Sequence, residues 1–412
     1  MIIKHLSLTN FRNYGRLDID FGPSVNIIYG DNAQGKTNII EAISVASCLS
    51  SHRTVKDKEM VAFGSSGYEI SMQCENEYDN SFADFYVGYF VPEGNESSSN
   101  HAKRVLKQDG FIIPKLSEYV GVCNTVIFAP EDLNLVKGAP AVRRRYLNLL
   151  ISKVSPSYIN LLNQCRRLID QKNLCLKSSD AASGQPDALD FWDYPLSQVS
   201  AEIVIKRYLF TCMLSKKARD SHLSISQGLE ELSVRYTTIS GCIDLLEDFL
   251  EERDMFDVFI ARELSVALYA ELRGILGNYI YSKLVSSRRY DLERGSSTSG
   301  VQKDDLEILL NGLPMKQYSS QGQQRSAALS LKLSELQIVR DCVASYPILL
   351  LDDVFSELDV NRRVSLISGM VDAQIFITCT DRSYIEKELD ALLSSTVKSN
   401  FYHVKDGNVE VS

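Results

Sequence analysis

The segment Gly30-Asp31-Asn32-Ala33-Gln34-Gly35-Lys36-Thr37 satisfies the spacing GxxxxGK[ST] in full. Phosphate oxygens need several converging backbone N–H donors; glycines permit the close approach, and a following helix N-terminus adds a favourable dipole. Lys36 supplies a point charge for the β- and γ-phosphates, and Thr37 places a small hydroxyl where Mg²⁺, which prefers oxygen, needs a ligand. Near the other chain end, the apolar run Pro347-Ile348-Leu349-Leu350-Leu351 ends in Asp352-Asp353. The first carboxylate is set to orient Mg²⁺ and the second to polarise an attacking water. Alone, such a pair is often only a solvated strand end; the phosphate loop gives it a task. Before it, Ser320-Gln321-Gly322-Gln323-Gln324 opens a stretch with Ala, Leu and Lys at helical spacing. A hydroxyl, a glycine and open amides at a helix start suit a γ-phosphate, although a plain capped helix looks the same.

Positioning these groups takes particular elements. Val25-Asn26-Ile27-Ile28-Tyr29 is mostly apolar and stops at Gly30, while Ile39, Ile40, Ile43 and Ala46 recur at helical spacing after Lys36. The reading is strand, Gly-containing loop, helix. The run before Asp352 and Gln374-Ile375-Phe376-Ile377 read as buried parallel strands that deliver side chains at their C-terminal ends. Hairpin-like stretches Tyr68 to Tyr89 and Arg104 to Ile113, the latter turning at Asp109-Gly110, predict an added antiparallel layer. Glu93 to Asn100 reads as a loop, and Ser178 to Asp187 and Gly295 to Gly300 as linkers. Between them, Arg143 to Cys175, Phe191 to His222 and Cys242 to Val285 read mainly as helices. Strand patterning returns in Asp305 to Met315, turning at Asn311-Gly312, and in Phe401 to Val411, turning at Asp406-Gly407. The expected fold is α/β: an ATPase lobe from residues 1–140 and 301–412 with an antiparallel β layer, and a mostly helical second lobe from 141–300.

Composition narrows the classes. At 412 residues and 44% hydrophobic content the chain can bury a sizeable core. No secretory signal pattern opens it and no apolar run is long enough for a bilayer, so a cytoplasmic protein without a membrane partner is expected. Nine cysteines without a CxxC pair suit reduced core thiols better than a zinc site. A net charge of −9 argues against non-specific coating of nucleic acid, so any DNA contact must be local. The candidates are Arg143-Arg144-Arg145, Lys206-Arg207, Lys216-Lys217-Ala218-Arg219 and Arg288-Arg289, each of which also reads as a solvated helix face.

The phosphate loop, Ser320-Gln321-Gly322-Gln323-Gln324 and Ser356-Glu357-Leu358-Asp359 together resemble the ABC-type ATPases of the SMC class. Within that class Asn10-Phe11-Arg12-Asn13-Tyr14, Gly30 to Asn38, Ser51-His52-Arg53, Phe128 to Leu133, Ser320 to Arg325 and Leu349 to Asp359 resemble, in order, the motifs of the RecF family. The resemblance implies that Ser320 and Gly322, with Gln323, form a signature closing on ATP held by a second subunit. It implies that Ser356 to Asp359 crosses the interface, that Glu131 falls where a Q-loop glutamine near the metal would be, and that Arg12 lies near the nucleotide. It further implies an ATP-dependent homodimer acting on single-stranded, gapped or junction DNA in recombinational repair and replication, with RecR, and RecO through it, as partners in RecA loading and the SOS response. Asp353 stands where most ABC members have glutamate, one methylene longer, so slow hydrolysis is expected. Thr378-Cys379-Thr380-Asp381 lacks the switch histidine of transporter-type members, and His403 reads as a partly buried strand residue.

Two other readings share the phosphate loop. A small-molecule kinase would need an acceptor pocket and usually a lid, and Ser320 to Gln324 argues against it. A transporter ATPase subunit would normally carry the missing histidine and lack the inserted helical lobe. Long coiled-coil arms do not fit between Thr37 and Ser320.

Overall fold

The computed structural model describes residues 1–76, 79–91, 103–177, 187–354, 373–382 and 399–411. The expected loop Glu93 to Asn100, most of the linker Ser178 to Asp187 and the expected interface segment Ser356 to Asp359 lie outside the described residues. The chain divides into two compact units, one of residues 1–133, 224–228 and 325–412, the other of residues 134–223 and 229–324.

The first unit is built on a sheet of six strands ordered Asn408–Val411, Ser399–Lys405, Val25–Tyr29, Ile375–Cys379, Ile348–Leu351, Thr125–Phe128. All neighbours in it are parallel except the terminal hairpin. Parallel strands are covered on both faces, and these alternate accordingly. Ile28, Leu350 and Phe376 pack towards the helix Lys36–Cys48 and a second sheet. Ile27, Leu349, Leu351, Ile375 and Ile377 pack against Leu329, Leu333 and Leu336 of the helix Gln321–Val343. The second sheet is antiparallel and ordered Tyr14–Asp20, Ile2–Phe11, Gly67–Glu75, Phe82–Phe90, Lys103–Gln108, Phe111–Ile112. Buried Gln374 ties the layers: its amide donates to Ile3 O and Gly22 O and its oxygen accepts from Ile3 N.

Turn chemistry fixes the hairpins. Asp109-Gly110, Asn311-Gly312 and Asp406-Gly407 each adopt positive φ at both positions, as two-residue turns that match strand twist require.

The second unit holds the helices Pro140–Val154, Tyr158–Lys177, Cys242–Glu251 and Val266–Arg294 and most of Asp187–Ile225. It also has a sheet that the hydropathy pattern did not reveal in full: Asp305–Leu310 pairs with Leu232–Thr237 on one side and with Leu313–Pro314 on the other. The partner strand is only six residues long and interrupts otherwise helical sequence. Buried ion pairs help to hold this unit. Arg207 meets Asp304, which also accepts from Tyr236 and Thr238, and Lys172 sits between Asp193 and Asp291. No helix among the described residues is long and apolar enough to cross a membrane.

Candidate functional site

The C-terminal ends of the parallel strands bring the predicted groups together. Val25–Tyr29 runs into the phosphate loop, where Gly30, Ala33 and Gly35 take φ of 146°, 66° and 117°. Position 30 admits only glycine, since a Cβ there would lie 2.3 Å from Val404 O. The loop is fastened through its acceptors: Asn13 Nδ2 donates to Gln34 O (2.9 Å), Tyr14 OH to Gly35 O (3.0 Å) and the Asp406 N–H to Gln34 Oε1 (2.6 Å). Among the described residues no hydrogen bond uses the backbone N–H groups of Asn32 to Lys36. Those are the donors a phosphate needs, at the head of the helix Lys36–Cys48. Asp31, Asn32 and Ala33 are exposed, while Lys36 is buried with its ammonium donating to Gly30 O (2.7 Å) and Asp31 O (2.9 Å).

Thr37 and Asp352 meet directly, Thr37 Oγ1 donating to Asp352 Oδ1 at 2.9 Å. Thr378, on the intervening strand, donates to the same carboxylate oxygen at 2.8 Å and accepts from the Asp353 N–H at 2.9 Å. Its hydroxyl therefore fixes both acidic residues of the strand end. Asp353 sits at φ 52°, a left-handed conformation that Asp tolerates. His52 Nε2 lies 3.5 Å from Asp352 Oδ2, largely buried. A hydroxyl and a carboxylate side by side at a phosphate loop are hard oxygen donors that fit Mg²⁺. Thr37 and Asp352 would hold the cation, which neutralises phosphate charge when bound.

Arg12 is committed within the protein. Its guanidinium grips the fully buried Glu41 of the loop's helix, Nε to Oε2 at 2.9 Å and Nη2 to Oε1 at 2.6 Å, and Nη1 donates to Glu59 O. Ser51 donates to Glu41 as well, and Arg53 bridges Glu41 and Asn38. With these contacts Arg12 braces the helix behind the phosphate loop.

Glu131 is exposed on the 3₁₀ turn Pro130–Leu133, which follows the strand paired beside Ile348–Leu351. It therefore stands on the same sheet edge as Asp352, with no described contact to it. Its neighbour Asp132 is held by the Ala129 N–H, and burial pushes its carboxyl up to about 6 despite nearby Lys332. Lys332 itself pairs with Glu335 inside the same unit.

Ser320, Gly322 and Gln323 belong to the second unit. Ser320 and Gly322 are exposed, and the helix Gln321–Val343 starts between them.

Three of the four basic clusters place an arginine inside the second unit rather than on a solvated face, whereas Lys216 and Arg219 of the fourth are exposed. Arg143 is buried, with a two-pronged contact to Asp305 and bonds to Leu135 O and Gly138 O; Arg207 is in the core; Arg288 is paired with Asp190 and Asp193. Consecutive basic residues on one helix face different ways, and in these three sets the fold uses one arginine internally. Arg289, by contrast, is exposed and among the described residues meets only its helix neighbour Glu293.

Over residues 2–402 the chain matches the model of the RecF/RecN/SMC N terminal domain. It is 38% identical over 393 residues to the DNA replication and repair protein RecF of Bacillus subtilis, covering 94% of this chain and 95% of that one. The chain belongs to the RecF family. The RecF of Agathobacter rectalis is 36% identical over 416 residues, covering 100% and 99%. Among solved structures, the recombination mediator protein RecF with ATP, of the RecFOR pathway, matches with a TM-score of 0.82 and 30% identity over 100% of this chain and 97% of that one. An Smc head bound to the C-winged helix domain of ScpA matches with a TM-score of 0.51 at 14% identity, covering 100% and 97%, which shows the fold alone. The expected α/β fold, an ABC-type SMC-like head with an antiparallel layer and a helical lobe, is thus the fold of this RecF-family chain.

In this member of the RecF family, sequence reasoning missed Glu41, Thr378 and the anchoring role of Asn13. Glu41 carries no motif signal, being one acidic residue in an apolar helix. Thr378 attracted notice only as part of the stretch Thr378 to Asp381, which lacks a switch histidine. The one legible hint was an uncompensated charge among Ile39, Ile40, Ala42 and Ile43, which demands a partner.

Proposed function

We propose that this RecF-family chain is an ATP-gated DNA-binding protein of recombinational repair and replication. ATP with Mg²⁺ is held by Gly30 to Thr37 and Asp352; nucleotide binding brings two copies together, and the closed homodimer holds single-stranded, gapped or junction DNA. Ser320 and Gly322 of one copy, on the signature segment that Gln323 caps, face the γ-phosphate held by the other. Hydrolysis, with Asp353 polarising the water and Lys36 on the phosphates, is slow and resets the switch. RecR, and RecO through it, are the expected partners in supporting RecA loading and the SOS response. The observation that carries the reading is the convergence of Thr37 and Asp352 beneath a phosphate loop with open amides. Support comes from a solved RecF–ATP complex that shares this fold across its length.

The test is sedimentation and DNA binding with and without ATP. Wild type should dimerise and bind gapped DNA only with ATP and Mg²⁺, and Lys36→Met should lose both. Ser320→Arg should retain ATP binding and fail to dimerise. A normal ATP-driven dimer for Ser320→Arg overturns the signature assignment, and ATP-independent DNA binding overturns the switch.

A further inference from the structure

The signature segment is held by a chain of side chains that runs beyond its own motif. Ser320 and Gln323 form a reciprocal capping box: the Gln323 N–H donates to Ser320 Oγ (3.3 Å) and the Ser320 N–H to Gln323 Oε1 (2.8 Å). The first helical bond, Gln324 N–H to Ser320 O at 3.0 Å, confirms Ser320 as the cap. This arrangement constrains the serine hydroxyl. Its oxygen accepts from within the helix, so its single O–H remains the group that can donate to an anion beyond the helix end.

The other end of the Gln323 side chain is also occupied. Gln323 Nε2 donates to Glu230 Oε1 at 2.8 Å, and Glu230 Oε2 lies 3.1 Å from Nε2 of the fully buried His222. His222 belongs to the last turn of the helix Asp187–Ile225, and Glu230 lies just before the strand Leu232–Thr237. A capping box alone needs only the glutamine's carbonyl oxygen. Here the amide nitrogen is used as well, and it ties an exposed helix start to a buried imidazole.

We propose that Glu230, backed by His222, is a positioning residue for the signature: through Gln323 it sets the direction of the Ser320 hydroxyl towards the nucleotide phosphate of a facing copy. The inference rests on the proposed placement of Ser320 at that phosphate. Glu230 does not touch nucleotide; its contribution is to remove the freedom of the capping side chain before the two copies close.

A purely structural cap and a positioning link respond differently to substitution. Glutamate serves at the third helical position of a capping box as well as glutamine does, so Gln323→Glu keeps the cap while setting two carboxylates against each other. The double variant Glu230→Gln with Gln323→Glu reverses the direction of the hydrogen bond and restores it. Glu230→Ala should raise the dimer dissociation constant at saturating ATP by at least about tenfold with ATP binding to the monomer unchanged; Gln323→Glu should do the same and the double variant should recover most of the loss.

Dimerisation by analytical ultracentrifugation, with thermal melting as the control for folding, decides it. Wild-type dimerisation by Glu230→Ala or Gln323→Glu, while Ser320→Arg remains blocked, overturns the positioning role and leaves the signature assignment standing. Failure of the double variant to recover overturns it too, because the loss then comes from the new charge at position 323. Should Glu230→Ala melt early, the Gln323→Glu pair decides the question by itself. Normal dimerisation by Ser320→Arg removes the reading on which the inference rests.

Discussion

Thr37 and Asp352, 315 positions apart in the chain, meet at 2.9 Å through Thr37 Oγ1 and Asp352 Oδ1. Two strand ends carry them, Val25–Tyr29 through the phosphate loop and Ile348–Leu351 directly, with Ile375–Cys379 paired between. Because Thr378 also donates to Asp352 Oδ1, the carboxylate is oriented by the protein alone. Asp352→Asn keeps the size and the hydrogen-bonding oxygen but removes the charge. ATP affinity measured by calorimetry should then lose most of its Mg²⁺ dependence. Chelation of Mg²⁺ should weaken the wild type by at least about tenfold and Asp352→Asn far less. An unchanged Mg²⁺ dependence in the variant would remove Asp352 from the metal site.

Arg12 and Glu41 make a second test. Glu41 is fully buried, so deleting its main partner leaves a poorly compensated charge, at a cost of about 3–5 kcal/mol. Arg12→Ala should lower stability by that order. Arg12→Lys, which cannot reproduce a two-pronged grip, should recover only part of it. Equal stability of Arg12→Lys and wild type in urea would show that the fork geometry contributes nothing.

Groups whose neighbours are fixed by local spacing were legible in the sequence. The phosphate loop, the Walker-type strand before Asp352, and the turns Asp109-Gly110, Asn311-Gly312 and Asp406-Gly407 all follow from short-range rules, and the structure has each of them. Partners brought in by long loops were not legible. Nothing near Arg143 announces Asp305, 162 positions on, and nothing near Gln323 announces Glu230. The short strand Leu232–Thr237 was hidden because a single alternating stretch among helices has no local signal for its partner, Asp305–Leu310. Charge runs misled for a related reason. Composition counts Arg143, Arg207 and Arg288 as surface charge, but burial beside carboxylates is set by the tertiary fold.

Asp353 allows the chemistry to be separated from the switch. Its φ of 52° suits asparagine as well as aspartate, so Asp353→Asn removes the carboxylate without backbone strain. Steady-state hydrolysis should fall by about 10²-fold or more, the usual range for a lost general base, while ATP-driven dimerisation persists. A variant that hydrolyses ATP at the wild-type rate would take Asp353 out of the catalytic step.

The Arg143–Asp305 pair yields a prediction opposite to the one its arginine run invites. Arg143→Glu sets two carboxylates together in a buried place, so the unit of residues 134–223 and 229–324 should lose several kcal/mol of stability, of the order for a broken buried pair. Arg289→Glu, on an exposed side chain, should melt like the wild type. If the Arg289 face touches DNA, the salt dependence of DNA binding should become shallower in that variant alone. Wild-type melting of Arg143→Glu would contradict the structural role.

Asp132 predicts a pH dependence with a defined sign. Burial raises its carboxyl from 3.8 to about 6, so the folded protein holds this proton more tightly than the unfolded chain does. Below about pH 4 both states are protonated and the contribution to stability is fully present; it is lost as pH rises through about 6. One proton corresponds to a slope of at most about 1.4 kcal/mol per pH unit. Asp132→Asn keeps the acceptor for the Ala129 N–H and cannot ionise. The difference in unfolding free energy between variant and wild type, measured in urea from pH 4 to 7, should grow in the variant's favour as pH rises and level off above about 6.5. The burial of Lys332 nearby limits the gain, since neutralising Asp132 also removes one of the charges that hold that ammonium. A difference that is flat across the range would mean that Asp132 ionises in the folded protein as it does in water.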